Sequence, residues 1–263
     1  MNQFDFHRPS SVADAVALLR GHGGAKVLAG GQSLLPVLKL DLAQPTDLVA
    51  LAGVPALRDI RDGDPVVIGA LATHDAVATS PVVRQRIPGL ARLAGGIGDP
   101  QVRNRGTIGG SVAHADPAAD YPAALLALGA TLETDRRKIA IDSYFTGFFT
   151  TALAPDEILT AVHVPVPQAA AYAKFASPAS KYAIVGVFVA RTGGGVRVAV
   201  TGAGTHVFRV PALEAALNAS FSAAAVLPGS VAPDDLRSDG EASAEYRAHL
   251  ITVMARRAVE ACG

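Results

Sequence analysis

Cysteine is nearly absent from this chain: Cys262 is the only one in 263 residues, and tryptophan does not occur. A lone cysteine excludes an internal disulfide, a cysteine-ligated zinc site and an iron–sulfur cluster held by this chain alone. Excess charge of either sign is missing too, with 23 Lys and Arg against 23 Asp and Glu and a pI near 7.1. That balance leaves no electrostatic footprint for nucleic acid and no basic patch for a membrane surface. No apolar run approaches membrane-spanning length, and Met-Asn-Gln-Phe-Asp-Phe lacks the basic start and apolar core of an export signal, so a cytoplasmic protein is expected. Hydrophobic residues make up 50% and charged residues 17%, enough for one large domain or two modest ones. A mean hydropathy of +0.31 admits an extended apolar docking face, but a bias toward alanine is the simpler reading.

Glycine is plentiful, and its placement is uneven. The stretch Gly95-Gly-Ile-Gly-Asp-Pro-Gln-Val-Arg-Asn-Arg-Gly-Thr-Ile-Gly-Gly-Ser-Val-Ala-His-Ala-Asp-Pro-Ala-Ala-Asp120 crowds small residues, two arginines and three acids together. Glycine loses more backbone entropy on folding than any other residue, so such a cluster points to positive φ or to close approach of a partner. A shorter echo, Ala29-Gly30-Gly31-Gln32-Ser33, lies between the apolar runs Lys26-Val27-Leu28 and Leu34-Leu35-Pro36-Val37-Leu38. Strand, glycine turn and helix start in that order expose backbone amides where an anion can sit. Thr107-Ile108-Gly109-Gly110-Ser111 has the same makeup, and the two segments together suggest a diphosphate held from both sides.

Three motifs in order, Ala-Gly-Gly-Gln-Ser-Leu-Leu-Pro, Gln-Val-Arg-Asn-Arg-Gly-Thr-Ile-Gly-Gly-Ser and Ala-Asp-Pro-Ala-Ala-Asp, resemble the FAD-binding medium subunit of the molybdenum hydroxylases, the xanthine dehydrogenase and carbon monoxide dehydrogenase family. The likeness extends from about Phe4 to the C-terminal helix. It implies an α+β fold: a two-subdomain FAD-binding domain of the PCMH type, then a C-terminal three-stranded antiparallel sheet with helices. By residue, the resemblance assigns the FAD diphosphate to the amides of Ala29, Gly30, Gly31, Gln32 and Ser33, continuing to Leu34, and to those of Thr107, Ile108, Gly109, Gly110 and Ser111. It puts Asp120 on the ribityl hydroxyls and Ile97 and Tyr182 near the ring.

From the residues themselves, strands are expected at 4–6, 26–29, 48–51, 66–69, 131–134 and 159–164, the first two joined by a helix capped by Ser10 or Ser11 into a small β-α-β unit. Further helices are expected at 34–40, from Thr73 through Val77, from Pro88 through Leu93, and at 121–128. Pro165-Val-Pro-Gln-Ala-Ala-Ala171 marks a domain break. The expected organisation is a FAD-binding domain at 1–168, with subdomains at about 1–55 and 56–168, and a carbon monoxide dehydrogenase flavoprotein-like domain at 169–263. Strands at 172–175, 183–190 and 196–201 and helices at 212–217 and 246–261 fill the latter.

Several candidate residues have ordinary readings as well. Asp120 could cap the following helix, Ile97 could be core, and Tyr182 a half-exposed strand residue. His114 and Asp116 supply too few ligands for a metal, and none is expected. Arg103 and Arg105 could meet phosphate; solvent or a partner subunit is the preferred reading. Neither Gly96-Ile-Gly98 nor Gly202-Ala-Gly204 completes a dinucleotide fingerprint, and no P-loop or local triad signature occurs.

The resemblance thus implies an oxidoreductase subunit whose chemistry belongs to noncovalent FAD. A large subunit with a molybdenum cofactor and a small [2Fe–2S] subunit would be its partners, in a heterotrimer or a dimer of heterotrimers. Electrons would pass from the clusters through FAD to an external acceptor. A self-sufficient flavin oxidase or dehydrogenase, or a noncatalytic nucleotide-binding assembly protein, are the alternatives.

Overall fold

A computed structural model of the chain describes residues 3–262. Its first unit is a small parallel sheet. Strand Asp5–His7 leads into helix Val12–Gly21, whose first turn is closed by the Ser11 hydroxyl accepting from the Asp14 amide. Strand Ala25–Leu28 and helix Leu34–Lys39 follow, then strand Asp47–Ala50. The expected β-α-β unit forms, its two strands parallel in one sheet but not adjacent. Asp47–Ala50, buried at every position, lies between them and pairs in parallel with both. A strand covered on both faces takes the centre of a sheet, and the half-exposed strands take its edges.

The second unit is a five-stranded antiparallel sheet in the order Ile60–Arg61, Val66–Gly69, Leu159–Val164, Thr131–Thr134, Lys138–Ala140. Helices His74–Thr79, Pro81–Arg86 and Pro88–Gly95 precede the glycine-rich segment. Helix Asp120–Leu128 is buried at all nine positions. Its sequence is apolar around the whole circumference, and such a helix is stable only when covered on every side.

The cover on one side is the C-terminal sheet. Ala169–Ala176, Ala183–Thr192 and Gly195–Thr201 form three long antiparallel strands, with the two-residue Phe208–Arg209 added at the edge. Along Ala183–Thr192 the side chains alternate between two cores. Phe188 and Ala190 pack with Tyr121, Leu125 and Leu128, while Val185, Val187 and Val189 pack with Ile251 and Met254 of helix Ala244–Glu260. The strand ladder therefore changes after Val164, yet the hydrophobic core continues through the C-terminal sheet. No helix among the described residues is long and apolar enough to cross a membrane.

Candidate functional site

The first glycine turn connects Ala25–Leu28 to Leu34–Lys39. Gly31 takes φ +76°, a conformation that suits glycine and reverses the chain within one residue. Ser33 makes no side-chain cap to the helix it precedes. The amides of residues 30–34 consequently have no protein acceptor among the described residues; the first helical bond of this segment is from the Leu35 amide to the Gly31 carbonyl. A row of unpaired N–H groups on one short segment is a ready site for an anion. Gly30 also lets this turn touch the second segment, since a Cβ there would stand 2.1 Å from the Arg105 carbonyl oxygen and 2.8 Å from the Gly106 α-carbon.

The second segment is built differently from the expectation. Thr107 caps helix Ile108–His114, its hydroxyl accepting from the Gly110 amide at 3.1 Å. The amides of Ile108 and Gly109 donate to the carbonyls of Ala72 and Ala70, and that of Ser111 to the Thr107 carbonyl. These amides already have acceptors within the fold, so the expectation of free amides at residues 108–111 is corrected, while those of residues 30–34 are unpaired among the described residues. Gly109 is needed for packing: a Cβ there would lie 2.5 Å from that of Ala70. Thr107, Ile108 and Gly109 are buried and turn toward the core, whereas Gly110 and Ser111 face the cleft.

That cleft has a volume of about 700 Å³ and runs between the two glycine segments. Residues 29–34, Ile97, Gly110, Ser111, Asp120 and Tyr182 line it together. The volume falls within the range of small-molecule and cofactor pockets. Ile97 is half-buried, and its carbonyl and that of Gly98 accept from the Arg103 guanidinium at 3.1 and 3.2 Å. Arg103 thus holds the Ile97–Gly98 turn rather than solvent, and Arg105 alone is exposed as expected.

Asp120 does not cap its helix. It is the first helical residue, and Ala119 holds the cap position. The buried carboxylate accepts from the Tyr172 hydroxyl on Oδ1 and from Lys174 Nζ on Oδ2 at 3.1 Å. Burial raises its pKa, and the Lys174 charge opposes that rise. A carboxylate has about four lone-pair positions, so two remain for a ligand's hydroxyls. Lys174 also donates to the carbonyls of Gly96 and Lys181, tying three segments to one ammonium. Tyr182 leans across the cleft toward Ser33; burial raises its phenol pKa, the Asp116 charge adds to this, and the Ser33 contact opposes it.

Sequence reasoning passed over His74, Tyr172, Lys174 and Glu157. His74 lines the cleft, is only 5% exposed, and leaves Nδ1 without a partner among the described residues. Burial lowers its pKa to about 4, with the Arg103 charge assisting. Glu157 receives both Arg137 nitrogens, the Ala154 amide and the Thr134 hydroxyl, and so braces the cleft wall at residues 151–157. A lysine two residues after a tyrosine in an otherwise apolar strand was the one available signal, for Lys174; buried histidines carry none.

Residues 2–167 match the family described as the FAD binding domain in molybdopterin dehydrogenase. The chain is 38% identical over 270 residues to the nicotine 6-hydroxylase medium subunit of Paenarthrobacter nicotinovorans, covering 97% of this chain and 95% of that one. It is 40% identical over 278 residues to the carbon monoxide dehydrogenase medium chain of Afipia carboxidovorans, covering 98% and 96%. Among solved structures, carbon monoxide dehydrogenase from Hydrogenophaga pseudoflava superposes with a TM-score of 0.91 at 36% identity over 99% of this chain and 97% of that one. Quinoline 2-oxidoreductase from Pseudomonas putida 86 gives 0.89 at 28% identity, with 99% and 97% covered.

Proposed function

The chain belongs to the FAD-binding medium-subunit family of the molybdenum hydroxylases, and from that premise we propose that it holds FAD noncovalently in this cleft and passes electrons within a heteromeric complex. The observation that carries the reading is the run of unpaired amides at residues 30–34, opening onto a 700 Å³ cleft. These amides, with those around Ala29, receive the diphosphate. Gly110 offers a bare α-carbon and Ser111 a hydroxyl from the facing wall. Asp120 takes ribityl hydroxyls on its unused lone pairs, Ile97 borders the ring, and Tyr182 covers it from the C-terminal sheet. Thr107, Ile108 and Gly109 act indirectly, seating their helix against Ala70 and Ala72.

Bound there, the flavin supplies reversible electron exchange between a redox partner and an external acceptor. The residues of this chain exclude water from the ring, orient it and set its electrostatic surroundings. With one cysteine, the chain cannot hold an iron–sulfur cluster. Relatives named as medium chains and medium subunits support two partners, a small [2Fe–2S] subunit that delivers electrons and a large subunit with a molybdenum cofactor, in a heterotrimer or its dimer. The same reading assigns FAD to residues 1–168, divided near residue 55, and leaves 169–263 as the C-terminal domain; the change of sheet after Val164 supports the second boundary.

The test is to purify the chain, load it with FAD, pass it through a sizing column and record its visible spectrum. A retained flavin band is expected, and its absence overturns the cofactor assignment. Copurification with a molybdenum protein and a small cysteine-rich chain is the expected result for the partners; turnover without them overturns that half.

A further inference from the structure

Away from the nucleotide segments, three side chains of the N-terminal sheet converge. His7 ends the first strand, His22 caps the C-terminus of helix Val12–Gly21, and Asp47 opens the central strand. One ligand atom from each lies within 4.8 Å of the other two. His7 Nε2 is 2.7 Å from Asp47 Oδ1, His22 Nε2 is 3.9 Å from the same oxygen, and the two rings are 5.2 Å apart.

The surroundings of each ligand are those a metal site requires. His22 Nδ1 lies 3.0 Å from the Leu18 carbonyl. A carbonyl can only accept, so Nδ1 carries a proton and Nε2 is the nitrogen left to a metal on the Asp47 side. Asp47 Oδ2 accepts from the Thr46 hydroxyl at 2.7 Å, leaving Oδ1 for the metal. Outer hydrogen bonds of this kind fix the tautomer and orientation of ligands in known metal sites. His7 Nε2 now donates to Asp47, and coordination requires that proton to move to Nδ1 or leave. Tetrahedral ligands at roughly 2.0–2.2 Å from a metal stand about 3.4 Å apart. The His7–Asp47 contact must therefore open and the His22–Asp47 contact close, each by less than about 1 Å, and the two histidine nitrogens, within 4.8 Å of each other, must adjust to the same spacing.

We propose that His7, His22 and Asp47 form a binding site for one imidazole-preferring divalent transition metal, with zinc as the reference ion and water in the fourth position. Two nitrogen donors and one carboxylate suit zinc, copper or nickel and disfavour calcium and magnesium. The site staples two strands and a helix end of the N-terminal unit. It also adjoins the cleft, because His22 precedes Gly23 and Gly24, which line it, and a Cβ on Gly24 would meet the Thr46 hydroxyl at 2.5 Å. The metal would thus sit beside the cleft, outside the residues that line it.

The experiment uses the untagged full-length chain, stripped with chelator and titrated with Zn²⁺ by calorimetry. One equivalent is expected to bind saturably. His22→Gln, at an exposed position, should abolish binding while flavin loading and circular dichroism stay unchanged; His206→Gln should leave binding intact. Thr46→Val should weaken it by roughly 10- to 100-fold, as loss of an outer hydrogen bond does elsewhere. No saturable binding, equal affinity in His22→Gln, or loss in His206→Gln would each overturn the proposal.

Discussion

The Gly30 α-carbon and the Arg105 carbonyl are in such close contact that no side chain fits between them; a Cβ on Gly30 would sit 2.1 Å from that oxygen. This contact locks the amide-bearing turn to the segment that opens helix Ile108–His114, and it sets the width of the cleft. Gly30→Ala must push the two backbones apart. Destabilisation of about 1–3 kcal/mol is expected, as for other overpacked sites. FAD affinity should fall roughly tenfold or more, equivalent to at least about 1.4 kcal/mol. Denaturant unfolding and flavin titration check both.

Gly110 gives a different outcome. A Cβ there would meet the Thr107 hydroxyl at 2.8 Å, the group that caps the helix through the Gly110 amide. Gly110→Val should remove the cap, at a cost of about 1 kcal/mol, and fill the wall opposite the free amides. The variant is expected to fold and to lose its flavin on a sizing column. Retention of FAD at parental affinity would show that this wall does not touch the cofactor.

Asp120 and Lys174 separate stability from binding. Lys174→Met leaves a buried carboxylate with only the Tyr172 hydroxyl, so a loss of about 3–5 kcal/mol is expected. Asp120→Asn keeps the shape and removes the charge. It should cost less stability yet weaken FAD, because a neutral amide accepts fewer hydroxyl bonds. Chemical unfolding of both variants beside FAD titration distinguishes the roles.

Acid should destabilise the chain in two successive windows. His74 is held neutral, with its pKa lowered from 6.5 to about 4 by burial. Between those values the unfolded chain binds the proton and the folded chain does not, so stability falls as pH drops from 6.5 toward 4, by up to about 3 kcal/mol. Glu157 titrates next, lowered from 4.5 to about 2 chiefly by the Arg137 hydrogen bonds. Its contribution is complete above pH 4.5 and is lost as pH falls toward 2. His74→Leu should flatten the upper window and leave the lower one, as read by urea midpoints across pH.

Much of the scaffold was legible before any coordinates. Ser10 or Ser11, and Thr73, were readable as caps because hydroxyl side chains at those places close their own helices, and Ser11 and Thr73 do so three residues on. Alternation and punctuation likewise marked Val66–Gly69, Thr131–Thr134 and Leu159–Val164. The site was less legible. Residues 107–111 read as a turn like residues 29–33, but the Ile108 and Gly109 amides are consumed by the carbonyls of Ala72 and Ala70, far along the chain, and those of Gly110 and Ser111 by Thr107. Asp120 read as a ribityl contact or a helix cap, and its protein partners Tyr172 and Lys174 lie more than fifty residues away. The His7, His22 and Asp47 cluster had no signature, since one ligand is forty residues from the first.

What the sequence determined by itself was local conformation and family: positive φ at Gly31, helix starts and strand runs depend on side chains within a few residues, and three ordered motifs identified the lineage. Tertiary structure alone decided which amides stay free, which carboxylate is neutralised and by what, and where the hydrophobic core continues past the change of sheet. Those outcomes depend on backbone donors and acceptors meeting across the chain, and a polar group's fate is settled by whichever distant partner packing brings to it.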